Sequence, residues 1–321
     1  MRVAVTGAGG RLGTALIREL TGSSFVTDLL AWDLPDHDLD DPCSAQRLVS
    51  TNRPDVVVHT AAWTDVDGCA RDPALAMRRN GLAVGEMAEA CVRADAALVI
   101  VSTNEVFDGL RTDGQPYRPT DRPNPPNPYG AAKLAGERAA RAVYGATGDD
   151  FAVAAMRPTD EDQRKFPALA IVRTAWLFGP PGADFPQKIL AAAIRARAAR
   201  QTLSLVADEV GCPTSASDLA GAIVSLIGEW SRPDGRDLVG IHHIVNFGWA
   251  SRAEWARRVL SEAGVDVDTV EVALDAWPRP SSPPPWGALE PTPLPGGLLR
   301  PWQDATSEYM AVIAPGRIPG R

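Results

Sequence analysis

The segment Thr6-Gly7-Ala8-Gly9-Gly10-Arg11-Leu12-Gly13 follows directly on the apolar run Val3-Ala4-Val5 and leads into Thr14–Leu20. Met1–Thr6 reads as a short buried strand and Thr14–Leu20 as a helix. Glycines at 7, 10 and 13 therefore give the spacing GxxGxxG between a strand and a helix. That arrangement answers three physical demands. A tight turn needs an unusual φ, close approach of a pyrophosphate needs a missing Cβ, and helix–strand packing needs a small residue. The opening turn of the helix then offers unpaired N–H groups and the positive end of its dipole to phosphate oxygens. Gly7, Gly9, Gly10, Arg11, Leu12 and Gly13 are thus candidates for binding a dinucleotide.

The remainder of the chain alternates strands with helices. Leu29–Trp32, Val56–Thr60, Ala97–Ser102 and Leu169–Arg173 read as strands, with helical stretches such as Leu82–Arg93 between them. Parallel neighbours need a crossover connection, so the pattern predicts an α/β, Rossmann-type, doubly wound parallel sheet. Asp33 ends the second strand, roughly twenty residues beyond Gly13, where a carboxylate binds both ribose hydroxyls of NAD and repels the extra phosphate of NADP. Arg11 lies in the loop within reach of a phosphate. NAD(H) is favoured, and NADP(H) stays open. Further on, helices are expected at Phe185–Arg200, at Ser217–Trp230 with Ser217 or Asp218 near its N-cap, and at Ser251–Ala263. A strand is expected at His242–Asn246. Arg111–Pro128 is a loop, and Trp277–Pro301 is too rich in proline and glycine for a regular element. It is expected to strap over the body.

Composition narrows the function classes. The 321 residues carry a net charge of -8, and 45% are hydrophobic. The acidity argues against nucleic-acid binding and against adhesion to an anionic membrane. Cys43, Cys69, Cys91 and Cys212 form no CxxC pair, which suits a reducing compartment. His37, His59, His242 and His243 make no zinc-like spacing with them, so no metal site is expected. Val3–Val5 is too short for a signal segment, and no apolar run is long enough to cross a bilayer. A cytoplasmic protein is the expectation.

Pro128-Tyr129-Gly130-Ala131-Ala132-Lys133 opens a helix read as Tyr129–Val143. Residues four apart share a helix face, so Tyr129 and Lys133 point into one space. A phenol with a pKa of about 10 is a poor acid–base group, and a neighbouring ammonium lowers that value. The pair then makes a proton donor for a carbonyl under reduction, and the lysine can also hold the nicotinamide ribose. A hydroxyl at the end of the fourth strand completes the set. Thr103 is the choice, with Ser102 in reserve, and its task is to fix the carbonyl against Tyr129.

These features together resemble the extended short-chain dehydrogenase/reductase family, and most closely its dTDP-4-dehydrorhamnose reductase branch. His59–Asp67 resembles the branch's third-strand segment beside the cofactor, which adds Ala61, Ala62 and Trp63 as cofactor neighbours. Arg78-Arg79-Asn80 is similar to the motif after it. Ser102–Gly109 is similar to Ser-Thr-Asp-Tyr-Val-Phe-Asp-Gly, Asn127–Glu137 to the catalytic helix and Arg173–Gly179 to a substrate-side strand. Asp208–Thr214 is similar to the loop leading back to the sheet, and Trp302–Tyr309 to the closing helix. The resemblance implies NAD(P)H-dependent reduction of a nucleotide-linked 4-keto-6-deoxysugar. Tyr129 would protonate the new alkoxide, Lys133 would tune Tyr129, and Thr103 would orient the carbonyl. Thr103, Asn104, Glu105 and Trp176 would meet the sugar. Trp176 reads equally as a core residue, and so does Trp63.

The chain also departs from the branch. Asn104 and Glu105 stand where the branch has Asp and Tyr, so the sugar pocket is altered, and Glu105 could serve as a second acid–base group. Ala15 occupies the place of an acidic magnesium ligand found in some members. Thr147–Phe166 is additional to the usual pattern, and Arg279–Pro283 only partly matches the C-terminal substrate segment. The implied division is a NAD(P)-binding Rossmann domain over 1–175, with a surface insertion at about 145–167. A smaller, interleaved, mainly substrate-binding part covers 176–321, with a return segment near 215–246 packing on the sheet. The expected partner is a sugar nucleotide, with room for a homodimer. An epimerase or dehydratase on the same scaffold, and a non-catalytic NAD(P)-binding regulatory subunit, are the alternatives.

Overall fold

The computed structural model describes residues 1–145, 167–232 and 238–314. The insertion expected at about 145–167 lies almost wholly outside the described residues. Five strands, β1 (Arg2–Thr6), β2 (Asp28–Trp32), β3 (Val56–His59), β4 (Ala97–Thr103) and β5 (Leu169–Thr174), join a sixth at Gly240–His243 in one sheet. Every pairing in it is parallel, and the order is Gly240–His243, β5, β4, β3, β1, β2. The order reverses direction at β1, so the carboxyl ends of β1 and β3 open onto a crevice where ligands of such sheets bind.

In chain order the helices are α1 (Arg11–Thr21), α2 (Ser44–Asn52), α3 (Val66–Arg71), α4 (Pro73–Met77), α5 (Ala83–Arg93), α6 (Pro128–Val143), α7 (Phe185–Ala199), α8 (Ala216–Trp230), α9 (Arg252–Ala263) and α10 (Trp302–Ile313). Side chains alternate across each strand, which explains the two cores. Val3, Val5, Val56 and Val58 face α1 and α8 through Leu16, Leu20, Leu219 and Ile223. Ala4, Val57, Leu98 and Ile100 face α5 and α6 through Met87 and Leu134. Covering both faces is what allows an all-parallel sheet of nearly unbroken apolar strands. A third cluster ties α9 and α10 together through Trp255, Trp302, Tyr309 and Met310, beside Phe178. No described helix is long and apolar enough to cross a membrane.

Several boundaries differ from expectation. The N-cap of α8 is Ser215, whose Oγ accepts the Asp218 N–H, not Ser217 or Asp218. Asp218 is instead held by Arg300 and by Asn246. The strand expected at His242–Asn246 begins earlier and ends at His243, where Ile244 turns off the sheet, while Asn246–Phe247 pairs with Leu299–Pro301. The last residues of the proline-rich tail are therefore a short strand after all, because Leu299 and Arg300 supply N–H groups that proline lacks. The rest of the tail straps across the body through bridges at Tyr117–Leu289 and Val210–Trp286. The helix expected from Leu82 starts at Ala83, preceded by a π turn over Arg78–Leu82.

Candidate active site

The glycine turn closes as the chain's geometry demands. Gly7 has φ +62, and a Cβ there would stand 2.9 Å from the Ala61 backbone. A Cβ on Gly13 would come within 2.1 Å of the Gly7 carbonyl oxygen. Gly10 is the N-cap of α1 and offers no side-chain cap, so the first N–H groups of the helix stay available for an anion. The Thr6 hydroxyl oxygen accepts N–H bonds from Thr60 and Ala61 at 3.1 and 3.2 Å, which fixes Ala61 and Ala62 along the wall of the crevice. Asp33 Oδ2 accepts the Gly9 N–H at 2.5 Å, so the carboxylate lies against the loop. Arg11 lines the crevice, with its Nε donating to the Gly179 carbonyl at 2.5 Å. The buried Asn80 amide, carried on the π turn, clamps the Trp63 backbone by accepting its N–H at 2.8 Å and donating to its carbonyl at 2.9 Å. π turns of this kind recur at functional sites. This cradle of missing Cβ atoms, open helix N–H groups and a carboxylate fits a nicotinamide dinucleotide.

The second group of side chains is built on α6. Asn127 caps the helix by accepting the Gly130 N–H at 2.9 Å. A Cβ on Gly130 would lie 2.0 Å from the Glu105 carbonyl oxygen, so the first turn of α6 rests directly on the turn Asn104–Val106 that follows β4. This contact brings Tyr129 into the same stretch of cleft wall as Thr103. Lys133 lies one turn further on and is buried. Tyr129, Lys133 and Thr103 all line the crevice that holds Gly7, Gly10 and Gly13, a cleft of about 760 Å³. Ser102 also lines it, but its hydroxyl is committed to Glu137, to which it donates at 2.5 Å. Glu137 also receives Nε and Nη2 of Arg173, at 3.0 and 2.7 Å.

The electrostatics correct one expectation. Burial pushes the Tyr129 phenol well above its ordinary value, the Glu105 carboxylate and Cys69 add to that, and the Thr103 side chain opposes it. Lowering by Lys133 is not what this arrangement gives. The same dry wall that disfavours a phenolate also disfavours an ammonium, and it pulls Lys133 down to about 8 against the pull of Glu137. The site thus keeps Tyr129 protonated, the form that donates.

On the opposite wall Trp176 adopts φ +46, a left-handed conformation costly for an aromatic residue. Its ring stacks on Trp255, and the Arg252 guanidinium lies 3.5 Å from its centroid. The indole is therefore engaged by protein and also lines the cleft. Asn104 is buried, and its amide donates to the Gly287 carbonyl of the strap at 3.2 Å. Glu105 faces the cleft. Burial raises its carboxyl, Asn127 opposes that, and Glu209 adds to it. Arg252, Lys188 and His37 also line the cleft, and Glu137 stands behind it. Sequence reading missed these four. Their spacing in the chain carries no signal, except that Glu137 falls four residues after Lys133 on the same helix face.

The model of the family described as the RmlD substrate binding domain matches residues 1–314. The dTDP-4-dehydrorhamnose reductase of Mycobacterium tuberculosis strain H37Rv is 35% identical over 320 residues, covering 98% of this chain and 93% of that protein. The spore coat polysaccharide biosynthesis protein SpsK of Bacillus subtilis is 30% identical, covering 96% of each. Among solved structures, a dTDP-4-dehydrorhamnose reductase from Clostridium acetobutylicum superposes with a TM-score of 0.83 at 28% identity, covering 98% of this chain and 99% of that one. The enzyme of the same name from Bacillus anthracis, in complex with NADP, gives 0.80 at 29% identity, covering 97% and 99%. The family match runs along nearly the entire sequence, and the chain belongs to the RmlD substrate binding domain family.

Proposed function

We propose that this protein is an oxidoreductase that reduces the 4-keto group of a nucleotide-linked 6-deoxysugar with NAD(P)H; relatives named dTDP-4-dehydrorhamnose reductase, one of them in complex with NADP, support the reading. The observation that carries the reading is the meeting of Thr103, Tyr129 and Lys133 in the cleft that also holds the glycine cradle. When bound, the dinucleotide supplies a hydride to the keto carbon. Gly7, Gly10 and Gly13 would give its phosphates close backbone approach, Asp33 would hold the ribose, and Ala61, Ala62 and Trp63 would wall the site. Thr103 holds the keto oxygen. Tyr129 delivers the proton to that oxygen as negative charge grows on it, and Lys133 steadies the ribose and the phenolate left behind. Asn104, Glu105 and Trp176 frame the sugar. Domain division near residue 175, homodimerisation and a cytoplasmic location belong to the same reading, and the four free cysteines support a reducing compartment.

The test is direct. Purified protein is mixed with a dTDP-4-keto-6-deoxyhexose and either NADH or NADPH, and the absorbance of the reduced nicotinamide is followed. Turnover is expected with at least one cofactor. Tyr129→Phe should lower kcat by about 10²–10⁴-fold, the usual worth of a positioned acid, while cofactor binding holds. Cofactor binding without turnover of any such sugar would defeat the reading.

A further inference from the structure

Glu105 is left without a chemical task by the reduction as described, yet its carboxyl is held in place. Its N–H donates to Thr103 Oγ1 at 3.2 Å, and its carbonyl lies beneath Gly130. One carboxyl oxygen, Oε2, accepts from Asn127 Nδ2 at 2.7 Å. Asn127 is itself fixed, because it caps α6 and also donates to the Ser282 carbonyl of the strap at 3.1 Å. The other oxygen, Oε1, makes no hydrogen bond among the described residues, and the side chain lines the cleft with Thr103 and Tyr129.

The charges around Glu105 are committed elsewhere. Arg252 donates to Glu209 from Nε and Nη2 at 3.1 and 2.8 Å. Arg279 donates to Asp67 at 3.0 Å. Glu209 repels the carboxyl, and no ion pair joins Glu105 to a cation among the described residues. An acidic, oriented acceptor in a narrow cleft disfavours a phosphate and favours a hydroxyl donor. Thr103 and Tyr129 fix the keto oxygen. The Glu105 side chain shares the cleft with Thr103 and Tyr129 and acts electrostatically on the Tyr129 phenol, so its carboxyl faces the part of the sugar beside the keto carbon.

We propose that Glu105 is a specificity-determining residue that accepts a hydrogen bond from a sugar hydroxyl on the carbon next to the keto carbon. The proposal rests on the reductase reading and narrows its substrate class to 4-keto sugars that keep a free vicinal hydroxyl. Where the resemblance has a phenol at this position, this chain presents a carboxyl, so a donor on the sugar is demanded rather than only tolerated.

The experiment compares kcat/KM of wild type, Glu105→Gln and Glu105→Ala on a dTDP-4-keto-6-deoxyhexose and on its 3-deoxy counterpart. Wild type should prefer the hydroxylated sugar by about 10–100-fold, the worth of one charge-assisted hydrogen bond. Glu105→Ala should lose about that factor on the hydroxylated sugar and little on the 3-deoxy sugar, so the preference collapses. Glu105→Gln keeps an acceptor oxygen and should recover part of it. Equal turnover of the two sugars by wild type overturns the role of Glu105 and leaves the reductase reading standing, and this holds even where Glu105→Ala fails to fold. An equal loss on both sugars in Glu105→Ala, with Tm unchanged, overturns it as well. No turnover of either sugar by wild type overturns the reductase reading itself.

Discussion

Lys133 is an ammonium held in a dry wall, and its position has a thermodynamic consequence that can be measured apart from catalysis. Burial pulls its pKa from 10.5 to about 8, with Glu137 opposing the drop. Between those two values the unfolded chain holds the proton more firmly than the folded one, so stability rises with pH through the window and is lowest below it. At 1.36 kcal/mol per unit, the penalty near neutral pH is on the order of 3 kcal/mol. Lys133→Met is therefore expected to lose reductase activity and gain about 1–3 kcal/mol of stability at pH 7, given that the apolar side chain of similar length needs no solvation. Urea unfolding at pH 7, 9 and 10.5 checks this. The advantage should shrink as the pH climbs, and a gap independent of pH would show that the buried charge is not its cause. Tyr129 and Lys133 were legible because a helix fixes how residues four apart relate. Arg252 was not, because it meets Trp176 only once the segment after β5 and the start of α9 have come together, and no local pattern encodes that contact.

At the scale of elements, two glycines in helices make opposite predictions. Gly130 belongs to α6, and an added Cβ would stand 2.0 Å from the Glu105 carbonyl, a backbone atom that cannot swing aside. Gly221 belongs to α8, and nothing lies within 4 Å of where its Cβ would be. Gly130→Ala should thus cost about 1–3 kcal/mol through overpacking and lower kcat, because it shifts Tyr129 relative to Thr103. Gly221→Ala should add about 0.5–1 kcal/mol from helix propensity alone and leave kcat unchanged. Thermal unfolding and turnover of the two variants side by side separate backbone crowding from propensity, and equal shifts in Tm would contradict the argument. Element type was readable throughout the sheet, where apolar runs and crossovers leave few options. Element ends were read less well. Ser215 caps α8 where Ser217 and Asp218 looked equally suitable, since hydroxyl and carboxylate cap alike and only the pull of Arg300 and Asn246 on Asp218 decides. The π turn at Arg78–Leu82 has no sequence signature of its own. It exists because Asn80 must reach the Trp63 backbone.

Across the described residues, a buried ion pair joins the sheet to α6. Arg173 on β5 and Glu137 on α6 are 0% and 1% exposed at their side chains, and Ser102 on β4 donates to the same carboxylate. The Arg173 guanidinium also lies 5.1 Å from the centre of the Phe107 ring. Sequence placed both residues in family-like segments but could not pair them, because the contact exists only after β4, β5 and α6 are stacked. Buried pairs contribute little net stability, since desolvation offsets attraction, yet removing one partner leaves an uncompensated charge. Arg173→Met or Glu137→Met alone should therefore cost about 3–5 kcal/mol, and the double variant much less than the sum of the two. Chemical denaturation of the four proteins gives the coupling, and additive losses would mean that the pair is not a unit. The double variant also carries a functional consequence. Without Glu137 nothing opposes the downward pull of burial on Lys133, so its pKa should fall below about 8. The alkaline limb of the pH–rate profile should then move to lower pH in a protein that is still folded. A limb that stays in place would separate the two halves of the argument and leave Glu137 as a structural member only.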